Sequence, residues 1–194
     1  LLVDRGFDMT GCLGKWLLDN PDQLDWFTGQ YLEAGCHILA SAGSQCGPWK
    51  LKPWGLEDRV IELNRRVTER VKALLPEGHF LLGSILPTGR MLRPLGDLDP
   101  QMLYEAYRDE VVGYVQGGAD IIWIMTMTDL EEAVIGVRAA KDFSNLPVMA
   151  AMAFDNTPKG PRTVMGVDPK TAAIRLSEAG ADVIGHNCGG ADPG

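Results

Sequence analysis

No stretch of this sequence strings together the roughly 18–20 uncharged apolar residues that a membrane-spanning helix needs, so no membrane partner is expected. Basic residues are outnumbered, 18 against 26 acidic ones, which leaves a net charge of −8. Phosphate backbones are held by concentrated Lys and Arg, so nucleic acid is excluded as a main partner and the acidic balance reads as a solvated surface. The first residues show no basic region leading into an apolar run and a small-residue cleavage site, so no secretory leader is visible. Cysteine is scarce: Cys12, Cys36, Cys46 and Cys188 are scattered, without a CxxC pair. In a chain of this size that pattern fits a reducing compartment, and the cytoplasm is the expected location. A GxGxxG after the first apolar run, a GxxxxGK[ST] loop, an HExxH helix and a Ser/His/Asp arrangement are all missing. The nucleotide-binding versions of an open α/β sheet therefore lose support.

What is present is a repeat. "YLEAGCHILASAG" (31–43), "YVQGGADIIWIMT" (114–126) and "LSEAGADVIGHNC" (176–188) each read as a helix end, then glycine, then a short apolar strand. Gly35, Gly117 or Gly118, and Gly180 fit the residue after a helix, where a left-handed backbone costs least for glycine. The Ile- and Val-rich runs that follow look like parallel strands covered on both faces. Further apolar runs stand at 1–4 ("LLVD"), 79–86 and 147–154, with helical patterns between them. One helix runs roughly over 56–75, with Val60, Leu63, Val67 and Val71 on one face; others follow Asp99-Pro100, Thr128-Asp129 and Asp168-Pro169, where a polar cap precedes the first turn.

Strand and helix thus alternate six times, which predicts an α/β protein with parallel strands. Right-handed crossovers wind such a chain into a (β/α)8 TIM-type barrel or an open sheet, and the missing nucleotide motifs favour the barrel. Eight units usually take about 250 residues. Six units ending at Gly194 make residues 1–194 a single barrel domain that is expected to be incomplete at its C-terminus; a six-strand open sheet is the alternative.

Barrels carry their chemistry at the C-terminal ends of the strands. Those ends here are Asp4-Arg5-Gly6-Phe7, Ser41-Ala42-Gly43, the turn from Gly83 and Ser84 to Thr88 and Gly89, Met125-Thr126, Phe154-Asp155 and Asn187-Cys188. "GSILPTGRMLRP" (83–94), "TDLEEA" (128–133), "GADVIGHNCGG" (180–190) and "LLVDRGF" (1–7) occur in an order that resembles the zinc-dependent homocysteine S-methyltransferases. The first is similar to that family's GSIGPTG loop, the third to its GxNC strand end and the last to its DGG[AF] turn.

The resemblance implies that Cys188 is one of three thiolates holding zinc, the other two forming an adjacent Cys pair further along than this sequence reaches. It implies that Asp4, Gly6, Phe7, Ser84, Thr88 and Asn187 contact substrate. Zinc would lower the pKa of a substrate thiol such as that of homocysteine so that the thiolate accepts a methyl group. The partners implied are a small-molecule methyl donor and acceptor, and a homo-oligomer is left open. Three departures stand out: Met125 where the family has Glu, Arg5 where it has Gly, and "ASAGSQCGPW" (40–49) in place of a TNTF-like segment. Met125 motivates an alternative reading, a methyltransferase component working with a corrinoid protein. The missing Cys pair motivates another, a catalytically inactive barrel that serves as a binding module. His186 points to the opposite strand face from its neighbour and reads as structural, as do Cys12, Cys36 and Cys46.

Overall fold

Gly6, with φ 99°, closes a single 3-10 turn over Val3–Arg5 where the apolar opening run suggests a strand. The amides of Arg5 and Phe7 both donate to the Leu2 carbonyl at 3.0 Å. The backbone groups a strand would offer to a neighbour are consumed locally, so the expected first strand is absent. The computed structural model describes residues 1–41 and 46–191. Ala42 and Gly43, and with them part of the 40–49 segment, lie outside the described residues.

After the turn come α1 (Leu13–Asp19), α2 (Pro21–Glu33), β1 (Ile38–Ala40), α3 (Pro48–Leu51) and α4 (Val60–Leu74). The chain continues through β2 (Phe80–Ile85), α5 (Pro100–Gln116), β3 (Ile121–Met127), α6 (Leu130–Phe143), β4 (Val148–Met152), α7 (Pro169–Ala179) and β5 (Val183–His186). Five strands are present among the described residues, not six, and they alternate with helices as a partial barrel requires. The 56–75 helix starts at Val60, after a 3-10 turn at Glu57–Arg59. No helix among the described residues is long and apolar enough to cross a membrane.

The chain divides into two units, Leu1–Ser84 with Asp109–Ile121, and Ile85–Arg108 with Ile122–Gly194. In the first, β1 runs parallel to β2 with Leu39 opposite Leu81. Its core gathers Leu2, Leu17, Leu24, Val67, Val71 and Leu81. Val60, Leu63, Val67 and Val71 of α4 are buried, as their spacing predicts. In the second unit, β3, β4 and β5 run parallel, with Ile124 opposite Ala150 and Ala150 opposite Ile184. Strand β4 is covered along most of its length, whereas β5 is exposed at all four positions, and no element follows it among the described residues.

The repeated segments share one device. Gly35, Gly118 and Gly180 have φ of 84°, 84° and 104°, so each turns out of its helix in the left-handed region. Two residues on, Asp120 accepts the Leu81 amide at 2.7 Å and Lys72 at 2.6 Å. In the second unit Asp182 accepts the Val148 amide at 2.8 Å and Lys141 at 3.0 Å. Each carboxylate thereby satisfies an amide at the start of a neighbouring strand, Leu81 of β2 and Val148 of β4, a donor that would otherwise be left unpaired. His37 occupies the same place in the first repeat; its carbonyl accepts the Phe80 amide, and its ring stacks on His79 with centroids 4.8 Å apart. The expected caps also form: the carboxylates of Asp99, Asp129 and Asp168 accept the amides of Gln101, Glu131 and Thr171 at 2.9 Å each.

Asp120→Ala leaves the Leu81 amide and Lys72 without this acceptor and should lower stability by about 1–3 kcal/mol in urea unfolding. The Val148 amide, helped by Lys141, holds the Asp182 carboxyl below its ordinary value of 3.8. A depressed carboxyl stabilises the fold above that ordinary value and loses its contribution as pH falls through the lower, folded value. Amide exchange at Val148, corrected for intrinsic rate, should accelerate only below about pH 4 in the wild type and be pH-independent in Asp182→Ala.

Candidate functional site at the strand ends

Asn187 and Cys188 follow directly on β5, and the Asn187 side chain sets the geometry there. Its Oδ1 accepts the Thr126 amide at 3.0 Å, and its Nδ2 donates to Thr126 Oγ1 at 2.7 Å. The same Nδ2 lies 3.4 Å from Cys188 Sγ, and Thr126 Oγ1 lies 3.9 Å from that sulfur. Asn187 therefore ties the ends of β3 and β5 together and faces the thiol with a donor. Cys188 is exposed.

Two residues here have a backbone conformation that side chains disfavour: Thr126 with φ 60° and Cys188 with φ 57°. For a β-branched residue this is a true outlier, at a cost of order 1–3 kcal/mol. The register of β3 against β4 shifts between Ile124 and Met127, which places Thr126 in the irregular step. Beyond the thiol, the chain is laced to the end of β4. The Asn187 and Ala191 amides donate to the Met152 and Phe154 carbonyls at 3.2 and 3.0 Å. The Gly190 amide donates to Asp155 at 2.7 Å, and Asn156 donates to the Gly190 carbonyl at 3.1 Å. A Cβ on Gly189 would run into the Phe154 carbonyl, so only glycine fits this approach. His186 faces elsewhere, lining an apolar cavity of about 200 Å³ with Phe154, Leu176 and Ile184.

The loop after β2 is anchored from below. Glu132, buried at 3% exposure in the first turn of α6, accepts the Thr88 amide at 2.8 Å and the Tyr107 hydroxyl at 2.8 Å. Thr88 Oγ1 in turn accepts the Arg90 amide at 3.2 Å. In the other unit, Ser84 is fully buried: its carbonyl accepts the Tyr114 hydroxyl at 2.7 Å, and its Oγ has no hydrogen-bond partner among the described residues. Burial pushes the Tyr114 hydroxyl far above its ordinary pKa, so it stays protonated and donates. Asp4 is exposed, Gly6 closes the opening turn, and Phe7 packs on Trp16 with centroids 5.4 Å apart.

The fold thus brings Asn187 and Cys188 together around Thr126. The sequence reading named Thr126 only as part of a strand end and did not name Glu132 on its own; both join the candidate site here. Glu132 lies in the quoted "TDLEEA", but a buried glutamate and a surface one look alike in a helical pattern. An exposed sulfur at a strand end suits a soft-to-borderline metal ion as one ligand. Among the described residues, however, no three His, Cys, Asp or Glu side chains converge to complete a metal site.

Comparison with known proteins covers nearly the whole chain. The family model "Homocysteine S-methyltransferase" matches residues 7–193. Methionine synthase of Mycobacterium tuberculosis is 28% identical, over 97% of this chain and 16% of its own length. Betaine--homocysteine S-methyltransferase 1 of Mus musculus is 24% identical, over 90% of this chain and 43% of its own. The chain thus spans less than half the length of these curated relatives. The crystal structure of the metallated form of the Escherichia coli homocysteine methyltransferase MmuM superimposes with a TM-score of 0.80 at 18% identity, over 96% of this chain and 70% of that one, a likeness of fold.

Glu132→Ala should cost about 1–3 kcal/mol, because the Thr88 amide loses its acceptor, and amide exchange at Thr88 should quicken. Glu132→Gln keeps an acceptor oxygen and should lose less on both measures.

Proposed function

The chain belongs to the homocysteine S-methyltransferase family, and on that premise we propose that it forms part of a zinc-dependent enzyme passing a methyl group to a thiol of the homocysteine type. The observation that carries this reading is the exposed Cys188 thiol, held at the end of β5 by Asn187 and Thr126. Cys188 supplies one thiolate ligand, and Asn187 orients it by donating toward the sulfur. Bound zinc would supply the Lewis acidity that keeps a substrate thiol ionised at neutral pH. The reading requires two further thiolates, which residues 1–41 and 46–191 do not supply beside Cys188.

Substrate contacts fall to Asp4, Gly6 and Phe7 in the opening turn, to Ser84 and Thr88 around the loop after β2, and to Asn187. For the loop, the support is its anchoring: Glu132 fixes the Thr88 amide, so Thr88 meets a substrate with its position already set. Met125, half-buried at the end of β3, offers no charge to an ammonium group, so amino-group recognition on this reading belongs to other residues. The same proposal takes residues 1–194 as one barrel domain. Four free cysteines support a reducing, cytoplasmic setting.

The test uses the full-length protein, with zinc measured by mass spectrometry and methionine formation from homocysteine followed with betaine or a methylsulfonium compound as donor. Cys188→Ser should lose both bound zinc and activity, and retention of both would sink the assignment. Asn187→Ala should weaken zinc binding by about 10–100-fold while leaving the thiol in place.

A further inference from the structure

Two of the four cysteines meet in the core of the first unit. Cys12 precedes α1 and Cys46 stands two residues before α3; both belong to one buried cluster with Leu51, Val60 and Leu63. The Cys46 sulfur lies directly over Gly14, where any Cβ would overlap it, and so reaches within the first turn that Cys12 begins. Cys46 is fully buried, and Cys12 retains 7% of its surface.

The two thiols are not equivalent. The Cys46 thiol donates to Cys12 and, with the Lys15 and Gly14 amides and the Lys15 charge, lowers Cys12 to about 6 against the opposing effect of burial. Cys46 is held well above its ordinary value by that same hydrogen bond, by burial, by the Cys12 charge and by Glu110. The Glu110 carboxylate is buried and lies against Gly47, and the buried Tyr114 hydroxyl faces the same group of charges. The pair thus divides its roles, with Cys12 shifted toward the thiolate and its neighbour toward the thiol.

We propose that Cys12 and Cys46 form an oxidisable dithiol site, in which Cys188 takes no part, whose reactant is a small hydroperoxide such as hydrogen peroxide. The Cys12 thiolate attacks the peroxide, the O–O bond breaks, and after protonation Cys12 carries a sulfenic acid while one water leaves. The Cys46 sulfur then attacks the Cys12 sulfur, the S–O bond breaks, and a second water leaves with the Cys46 proton. Overall, two thiols and one peroxide give one disulfide and two waters. A molecule the size of peroxide suits a thiol with so little exposed surface. The new bond joins the start of α1 to the segment entering α3.

The experiment treats the reduced full-length protein with graded hydrogen peroxide, alkylates the remaining thiols and maps peptides by mass spectrometry. A Cys12–Cys46 linked peptide, reversed by dithiothreitol and formed at lower peroxide than sulfinic acid at any cysteine, is the expected result. Full alkylation of Cys12 and Cys46 at peroxide doses that oxidise Cys188 would overturn the proposal, as would over-oxidised Cys12 beside reduced Cys46. Without peroxide, Cys12 alkylation should be half-maximal near pH 6, and Cys46→Ala should move that midpoint upward toward the ordinary 9.0. An unmoved midpoint in the folded variant counts against the proposal; if the variant does not fold, the wild-type peptide map decides.

Discussion

One side-chain amide, that of Asn187, holds the rim of the second unit in its working shape. By accepting from the Thr126 amide and donating to the Thr126 hydroxyl, it makes a closed pair of hydrogen bonds across the ends of β3 and β5. That pair helps Thr126 remain in a left-handed conformation that its branched side chain disfavours. Cys188 follows in the same disfavoured region, so the thiol leaves the strand direction at once and stays exposed. Backbone strain is concentrated where the Cys188 sulfur is exposed, and hydrogen bonds from neighbouring strand ends offset it.

The opposite ends of the strands are built for another purpose. There Asp120 and Asp182, each two residues past a left-handed glycine, close the open amides at the starts of β2 and β4 and hold a lysine from a neighbouring helix. A parallel barrel separates stability and chemistry in this way, with the N-terminal ends of its strands maintaining the fold and the C-terminal ends left free to vary. His37 shows that the stapling position tolerates replacement. Its carbonyl still meets the Phe80 amide, and a ring stack takes over from the ion pair.

Much of the fold was legible because its signals are local. A left-handed glycine after a helix and a carboxylate ahead of one are decided within a few residues, so Gly35, Gly180, Asp129 and Asp168 could be read directly, and Gly118 as one of two adjacent glycines. The opening "LLVD" could not, because four apolar residues carry too little periodicity to separate a strand from a turn. The sequence pointed to Asn187 and Cys188 through their place at a strand end. Thr126 was hidden because its partner is 61 residues away, and Glu132 because burial under the Thr88 loop leaves no mark on a helical pattern. Cys12 and Cys46 read as ordinary core thiols for the same reason, since their meeting depends on how α1 and the segment before α3 pack.

Gly189 carries a last implication. Its α-carbon rests against the Phe154 carbonyl, so the height of residue 188 above the strand is set by main chain meeting main chain, whatever side chain residue 188 bears. Position 188 is in effect a pedestal. If Cys188 holds zinc as proposed, exchange of its sulfur for an imidazole or a carboxylate would change the hardness of the donor while leaving the pedestal where it stands. On the zinc reading proposed above, a change of metal preference would then need only one substitution in this chain, provided the neighbouring glycine is kept.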